Sequence, residues 1–320
     1  MTDFPRADAP HIPVMLAEVL AALEPRAGGK YLDCTFGAGG YTRALLAASA
    51  PDGTVFAIDR DETAISAGRD LVAQAGGRLT LLHGTMADAE TLLPPDGLGS
   101  FDGIVMDLGV SSMQLDRAER GFSFRFDGPL DMRMGSGGES AADLLARIDE
   151  EELADLIYEY GEERLARRIA RAVVAARGEA PIETTAALAA IVRRVYAQAG
   201  LRDSAIDPAT RTFQALRIAV NDELGQLTRV LEAAHRLLKV GGRVVAVSFH
   251  SLEDRIVKAA LKPPLASASR HAPALEALPQ RRWKTLGAKP VQASADEAAR
   301  NPRARSAKLR AAEKLDGGAR

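Results

Sequence analysis

Three short, continuous apolar runs open the chain at Tyr31–Thr35, Thr54–Asp59 and Leu79–His83, and a fourth follows at Gly103–Asp107. Continuous rather than alternating apolarity is what a strand covered on both faces of a parallel sheet requires. The stretches Tyr41–Ala50 and Glu62–Ala75 between them carry helical spacing, so the order is β-α-β-α-β. A fifth strand is predicted in LLKVGGRVVAVSF (Leu237–Phe249), where a helix end and a Gly-Gly turn precede the apolar run. The pattern is that of a Rossmann-like, doubly wound α/β sheet. At its far end Ser306–Glu313 reads as either a strand or a helix, and periodicity does not decide.

Between the fourth and fifth strands the pattern changes. Ser112–Met134, rich in Gly, Asp, Arg and Phe with weak periodicity, reads as a structured loop. A helix then starts at Asp149 with Glu152 three residues on, a capping-box arrangement, and carries the stripe Leu153, Leu156, Ile157, Tyr160 up to Gly161. Two more are predicted, Glu162–Arg177 ending at Gly178, and Thr185–Ala199 with Leu188, Ile191, Val192 and Val195 on one face. Amphipathic helices must bury those faces, so the three imply a small all-helical domain inserted into the sheet. The expected division is a discontinuous α/β domain, residues 1–112 and 205–320, around an insertion, residues 113–204. Helices at Pro208–Val220 and Asp222–Lys239 lead the chain back to the fifth strand.

Composition narrows the class. With 47% hydrophobic and 26% charged residues over 320 positions, the chain has the make-up of a globular protein rather than a disordered one. No apolar run approaches the roughly 18–20 residues of a membrane span, and the first residues hold no signal-peptide core, so a cytoplasmic, membrane-free protein is expected. Cys34 is the single cysteine and reads as a buried small hydrophobe, which excludes a disulfide framework. Five histidines without HxH or HxxxH spacing leave no metal site in view. The net charge of −2 conceals an asymmetry: Arg255–Arg320 holds 15 Lys/Arg against 5 Asp/Glu, a net +10, so the rest carries −12. A cationic end on an acidic body fits a polyanionic partner through phosphate contacts, and it fits a solvated tail as well.

The strongest local signal is LDCTFGAGGYT (Leu32–Thr42), a glycine loop directly after the first strand and before a helix. Gly37, Gly39 and Gly40 let the backbone turn sharply beside a ligand, and the helix start supplies free N–H groups to the same space. Asp59 ends the second strand, where doubly wound folds place a carboxylate against the ribose hydroxyls of a nucleotide-like ligand. A dinucleotide fingerprint would read GxGxxG, but Thr42 stands where the third glycine belongs. That favours a phosphate-free ligand, S-adenosylmethionine, over a nicotinamide dinucleotide. Asp107 closes the fourth strand at the edge where donor and acceptor would meet, as a proton acceptor for the reacting group or as a donor ligand or loop cap. His250 ends the fifth strand beside Ser248, as a base or a positioning group. AERGFSF (Ala118–Phe124), with Arg125 and Arg133, mixes aromatic and basic residues as single-stranded RNA sites do, or packs to anchor the insertion. Arg211 and Arg217 flank Phe213, and Arg300, Arg303, Arg305, Lys308 and Arg310 form the clearest phosphate-contacting run.

Seven blocks carry a resemblance: DCTFGAGGYT, AIDRD (Ala57–Asp61), MDLGVSSMQLD (Met106–Asp116), RGFSFRFDGPLDMRM (Arg120–Met134), TRTFQALRIAVN (Thr210–Asn221), SFHSLEDRIVK (Ser248–Lys258) and NPRARSAKLR (Asn301–Arg310). In this order, from about His11 to Glu313, the chain resembles the ribosomal RNA small subunit methyltransferase H family. The resemblance implies a Rossmann-like class I S-adenosylmethionine-dependent methyltransferase sheet with an inserted all-helical domain. It implies transfer of a methyl group to N4 of a cytidine in the decoding region of 16S rRNA, within the small ribosomal subunit or its precursor. A homodimer is left open as a further partner. Carried over by motif, the donor site comprises Gly39, Gly40 and Tyr41, Asp59 at the ribose, Met86 near the adenine, and Asp107 with Gln114 beyond the fourth strand. Catalysis falls to Asp107 and His250, and RNA contacts to Arg133, Arg211, Phe213, Arg303 and Arg305. Tyr41 and Met86 stand where histidine and phenylalanine are frequent in the family. DLGVSS (Asp107–Ser112) replaces the Asp/Ser-Pro-Pro-Tyr/Phe signature of other amino-methyltransferases.

Overall fold

Eight strands form one sheet among the residues described by the structure, a computed structural model covering 13–201, 207–262 and 282–316. They are β1 Lys30–Asp33, β2 Thr54–Asp59, β3 Leu79–His83, β4 Phe101–Asp107, β5 Leu238–Ser248, β6 Trp283–Thr285, β7 Val291–Gln292 and β8 Lys308–Lys314. Their order is β3-β2-β1-β4-β5-β8-β6, with β7 also paired to β8. The first five strands run parallel, and β8 is antiparallel to β5. The chain order reverses between β1 and β4, which makes the carboxyl ends of those two strands the switch point where doubly wound sheets bind ligands.

The apolar runs do what their continuity predicted. Leu32, Ile58, Ile104 and Met106 are fully buried, and Leu227, Val230, Leu231 and Ala234 of helix Glu223–Leu237 pack in the same core. Each of the larger side chains contributes about 1.5–3 kcal/mol on burial. Cys34 lies in this core as a small hydrophobe, its thiol pushed up by burial. Three local details differ from the sequence pattern. Glu62–Ala75 is split into Glu62–Ala67 and Arg69–Gln74 at Gly68, where a Cβ would meet the Leu81 side chain at 2.5 Å. The Gly-Gly element does not interrupt β5. The strand runs through it, but pairing with β4 jumps from Phe101↔Leu238 to Gly103↔Arg243, and Gly241 takes φ 78°, so the chain bends locally where the Gly-Gly turn was expected. Ser306–Glu313 resolves as strand β8, preceded by a short 3₁₀ turn, Pro302–Ser306.

The chain divides into two compact units, Met1–Gly109 with Gly225–Arg320, and Val110–Leu224. The second is helical: Ala141–Arg147, Glu150–Gly161, Ala166–Glu179, Thr185–Gln198 and Ala209–Asn221 surround Leu145, Leu153, Ile157, Ile169, Leu188 and Val192. Asp149 caps its helix by accepting the Glu152 N–H at 2.8 Å. A reciprocal capping box sits one helix earlier, at Ser140 and Asp143, on a helix the apolar spacing did not announce. The next helix starts at Ala166 instead of Glu162, because Glu162 is left-handed and the Glu163 carboxylate accepts the Leu165 N–H at 2.8 Å. The expected return to the sheet at residue 205 lies outside the described residues. The helix after it, Ala209–Asn221, buries Phe213 and Leu216 in the helical core. The proline- and alanine-rich stretch after Leu261 falls largely within residues 263–281, also outside the description. Among the described residues, no helix is long and apolar enough to cross a membrane.

Candidate active site

At the tip of β1, Asp33 is completely buried, and its carboxylate accepts the Thr42 hydroxyl at 2.7 Å and the Thr35 N–H at 3.0 Å. Burial pushes its pKa up to about 6, against the pull of those two hydrogen bonds. Thr35 continues the connection, its Oγ1 accepting the Asp107 N–H at 2.7 Å. The tips of β1 and β4 are thereby tied across the switch point. Sequence reading gave Asp33 and Thr35 no role and used Thr42 only to set aside a dinucleotide fingerprint; the available signal was an ionisable residue inside the apolar run Tyr31–Thr35, which has to be hydrogen-bonded.

The glycine loop is stitched to the end of β2. Asp59 Oδ2 accepts the Gly37 N–H at 2.7 Å, and Oδ1 accepts the Asp61 N–H at 2.8 Å. Asp59 thus shapes the loop, besides having been expected at a ribose. Gly39 has φ 75°, and a Cβ there would lie 2.9 Å from the Phe36 ring, so only glycine fits without strain. It is the N-cap of helix Gly40–Ala48, which starts without a side-chain cap. Tyr41 is buried and its hydroxyl donates to the Val14 carbonyl, leaving only its backbone for a ligand. Met86 opens a short 3₁₀ turn after β3, partly buried against the sheet core.

Asp107, at the end of β4, carries an uncompensated group, as does His250 nearby, whose two ring nitrogens are buried without a hydrogen-bond partner among the described residues. Asp107 is half-buried, but its Oδ1 is withdrawn from the surface and has no hydrogen-bond partner among the described residues. Burial, then the negative charges of Asp33 and Glu253, push its carboxyl well above the usual carboxylate range. On the neighbouring strand, β5 ends at Ser248, whose hydroxyl donates to the Lys308 carbonyl at 3.2 Å. His250 follows, with Nε2 3.2 Å from Glu253 Oε1. Glu253, another residue the sequence reading did not single out, also accepts the Phe249 N–H at 2.8 Å, which fixes the start of helix Ser251–Leu261. Three carboxylates, Asp33, Asp59 and Asp107, therefore stand at adjacent strand tips. Such a cleft repels phosphate and suits a cation carrying a ribose diol.

Other expected site residues are distributed over both units. Gln114, in the helical unit, is buried, and its Oε1 accepts the Ser111 N–H at 3.0 Å. Arg133 is held bidentately by Asp131 at 3.0 and 2.6 Å, and Arg211 is exposed while donating to the Glu162 carbonyl at 3.3 Å. Phe213 requires a correction: it is 4% exposed and packs edge-on against Phe124 at 4.8 Å, so its ring has no face open to a base. AERGFSF is likewise largely a packing element. Phe122 is buried, and Arg120 donates to the Arg133 and Met134 carbonyls at 3.1 and 3.0 Å. Arg305 is exposed and Arg303 half-buried, both on the turn before β8.

The parallel sheet with its antiparallel β8, the glycine bend and the acidic strand tips define a Rossmann-like class I methyltransferase that uses S-adenosylmethionine. The residues fit that cofactor: the orphaned Asp107 Oδ1 and the crowded bend at Gly39 lie along one sheet edge with Asp59. The chain belongs to the MraW methylase family, whose profile matches residues 8–315. Among curated relatives, the ribosomal RNA small subunit methyltransferase H of Methylobacterium sp. (strain 4-46) is 59% identical over 96% of this chain and 92% of its own length. The protein of the same name from Gluconobacter oxydans (strain 621H) is 59% identical over 94% of this chain and 92% of its own. That of Xanthobacter autotrophicus (strain ATCC BAA-1158 / Py2) is 57% identical over 96% and 88%. Among solved structures, a SAM-dependent methyltransferase from Aquifex aeolicus aligns with 94% of this chain and 90% of that one at 11% identity and a TM-score of 0.40, too distant a likeness to argue from.

Proposed function

We propose that the protein methylates the N4 amine of a cytidine in the decoding region of 16S rRNA, in the small ribosomal subunit or its precursor. The relatives' shared name supports the RNA class. The observation that carries the chemistry is the buried, unpartnered Oδ1 of Asp107 at the switch point. S-adenosylmethionine supplies a methyl group activated on a sulfonium. This chain's part is to hold the amine in line with it and to take a proton from it. An exocyclic amine is a weak nucleophile because its lone pair is delocalised into the ring. A carboxylate bonded to the amine hydrogens helps it pyramidalise, and one with a raised pKa is the better proton acceptor.

In this reading Gly39, Gly40 and Tyr41 offer backbone, Asp59 meets the ribose hydroxyls, Met86 covers adenine, and Gln114 is a further donor ligand. His250, its Nε2 3.2 Å from Glu253 Oε1, is the second candidate for the proton. The helical unit recognises substrate, with Arg133 and Arg211 there and Arg303 and Arg305 before β8 binding phosphates; Phe213 takes no part. The target base must leave any stack to reach the strand tips.

Asp107→Asn keeps the shape and removes the base. With labelled S-adenosylmethionine and small-subunit particles, the rate at saturating donor should fall by about 10²–10⁴, a loss that raising the donor concentration does not recover. A variant transferring methyl groups at near wild-type rate contradicts the assignment.

A further inference from the structure

Away from the strand tips, a cavity of about 470 Å³ opens on the sheet unit between helix Leu16–Leu23, helix Ser251–Leu261 and the segment joining β6 to β7. Its apolar lining includes Ala21 and Ala22 of the first helix and Leu309 and Ala311 of β8. Its charges are unevenly compensated. Arg243 is neutralised by Glu24 at 2.7 Å, and Arg310 by Asp254 at 2.6 Å. Lys258 and Lys262, one helical turn apart, and Lys289 across the opening are all exposed, and none pairs with a carboxylate among the described residues. Glu18 is the one further acid in the lining. Leu286 and Val291 stand at the same opening, 37% and 47% exposed.

Three unpaired ammonium groups around an apolar interior form a site for a ligand with anionic charge outside and an apolar or flat body inside. The volume lies within the range of small-ligand pockets and suits one nucleotide unit. Lysines are compact point charges that bind phosphate without demanding a planar partner, and contacts to phosphate carry no sequence information. We propose that this cavity is a second RNA-docking subsite, in which the lysines hold backbone phosphates of the substrate strand and the apolar lining receives a nucleotide irrespective of its sequence. The proposal rests on the RNA-methylation reading and extends it to residues outside the donor cleft.

The test uses the full chain, small-subunit RNA and an unrelated single-stranded oligoribonucleotide, with affinity measured over a salt series. Lys258→Ala/Lys289→Ala should weaken binding of both RNAs by about tenfold at moderate salt. It should lower the slope of log affinity against log salt by about 1.5, roughly 0.7–0.9 for each phosphate that is no longer neutralised. S-adenosylhomocysteine affinity should stay unchanged, and Lys258→Arg/Lys289→Arg should restore the wild-type slope. An unchanged slope in the alanine variant overturns the proposal, whether or not affinity falls. A variant that loses binding to polyglutamate but not to RNA overturns it in favour of an acidic protein partner. Failure of the unsubstituted protein to bind or methylate small-subunit RNA is a separate result, which removes the underlying reading as well.

Discussion

Asp33→Asn isolates the electrostatic strain at the switch point. Asp33 is fully buried with its pKa raised from 3.8 to about 6, so over that interval the folded chain keeps a proton that the unfolded chain has released. Stability conferred by the protonated form is therefore present at low pH and is lost as pH rises through this window. At about 1.4 kcal/mol per pKa unit, the ionised carboxylate costs the fold on the order of 3 kcal/mol at neutral pH. Asparagine removes the charge, and its carbonyl can still accept the Thr35 N–H now bonded at 3.0 Å. Its amide must donate to the Thr42 hydroxyl, reversing the present 2.7 Å bond. After that exchange the variant should be more stable at neutral pH by about 1–3 kcal/mol and level with wild type below the window. Urea unfolding at pH values below, within and above the window reads both effects. Because Asp33 also raises Asp107, its removal should flatten the wild-type decline further. A variant as pH-dependent as wild type, or less stable at neutral pH, would refute the reasoning.

The other predictions concern the ligand cleft. S-adenosylmethionine binding should release protons, since a sulfonium favours the ionised form of the raised Asp107 carboxyl, and donor affinity should weaken as pH falls. Calorimetry in buffers of different ionisation heat measures this, and equal release with the uncharged S-adenosylhomocysteine would count against it. Gly39→Ala forces a side chain to φ 75° beside Phe36 and should destabilise the chain by about 1–2 kcal/mol, read as a lower urea midpoint, with weaker donor binding. Asp59→Ala frees the Gly37 and Asp61 N–H groups and should weaken donor affinity at least about tenfold while leaving RNA affinity within about twofold; equal loss of both would separate Asp59 from the donor.

The parallel core of the sheet was legible because covered strands carry continuous apolar runs, and β2 and β3 fall at the residues their runs predict, although β3, at the sheet edge, is only partly buried. The short helix Leu16–Leu23 and strands β6 and β7 escaped notice, being too brief or too exposed to impose a period. β8 stayed ambiguous because its alanines suit either state, and only antiparallel pairing with β5 decides it. At the site, glycine spacing and carboxylates at strand ends marked Gly39, Asp59 and Asp107. Position along the chain does not say which groups are satisfied. It hid the Asp33–Thr35–Asp107 connection, the burial of Phe213 and the Glu253 carboxylate that accepts the Phe249 and His250 N–H groups. The aromatic-basic composition of Ala118–Phe124 suggested an RNA surface, whereas Phe122 and Phe124 serve the packing of the helical unit.

The central claim is that a methyl group reaches the N4 amine of a small-subunit rRNA cytidine through the cleft around Asp107. Nucleoside mass spectrometry of 16S rRNA from cells with and without the gene, and from cells carrying Asp107→Asn, addresses it most directly. The account predicts N4-methylated cytidine in the first RNA and its loss from the other two, with the modified residue mapping to the decoding region. An unchanged content of that nucleoside without the gene would contradict it.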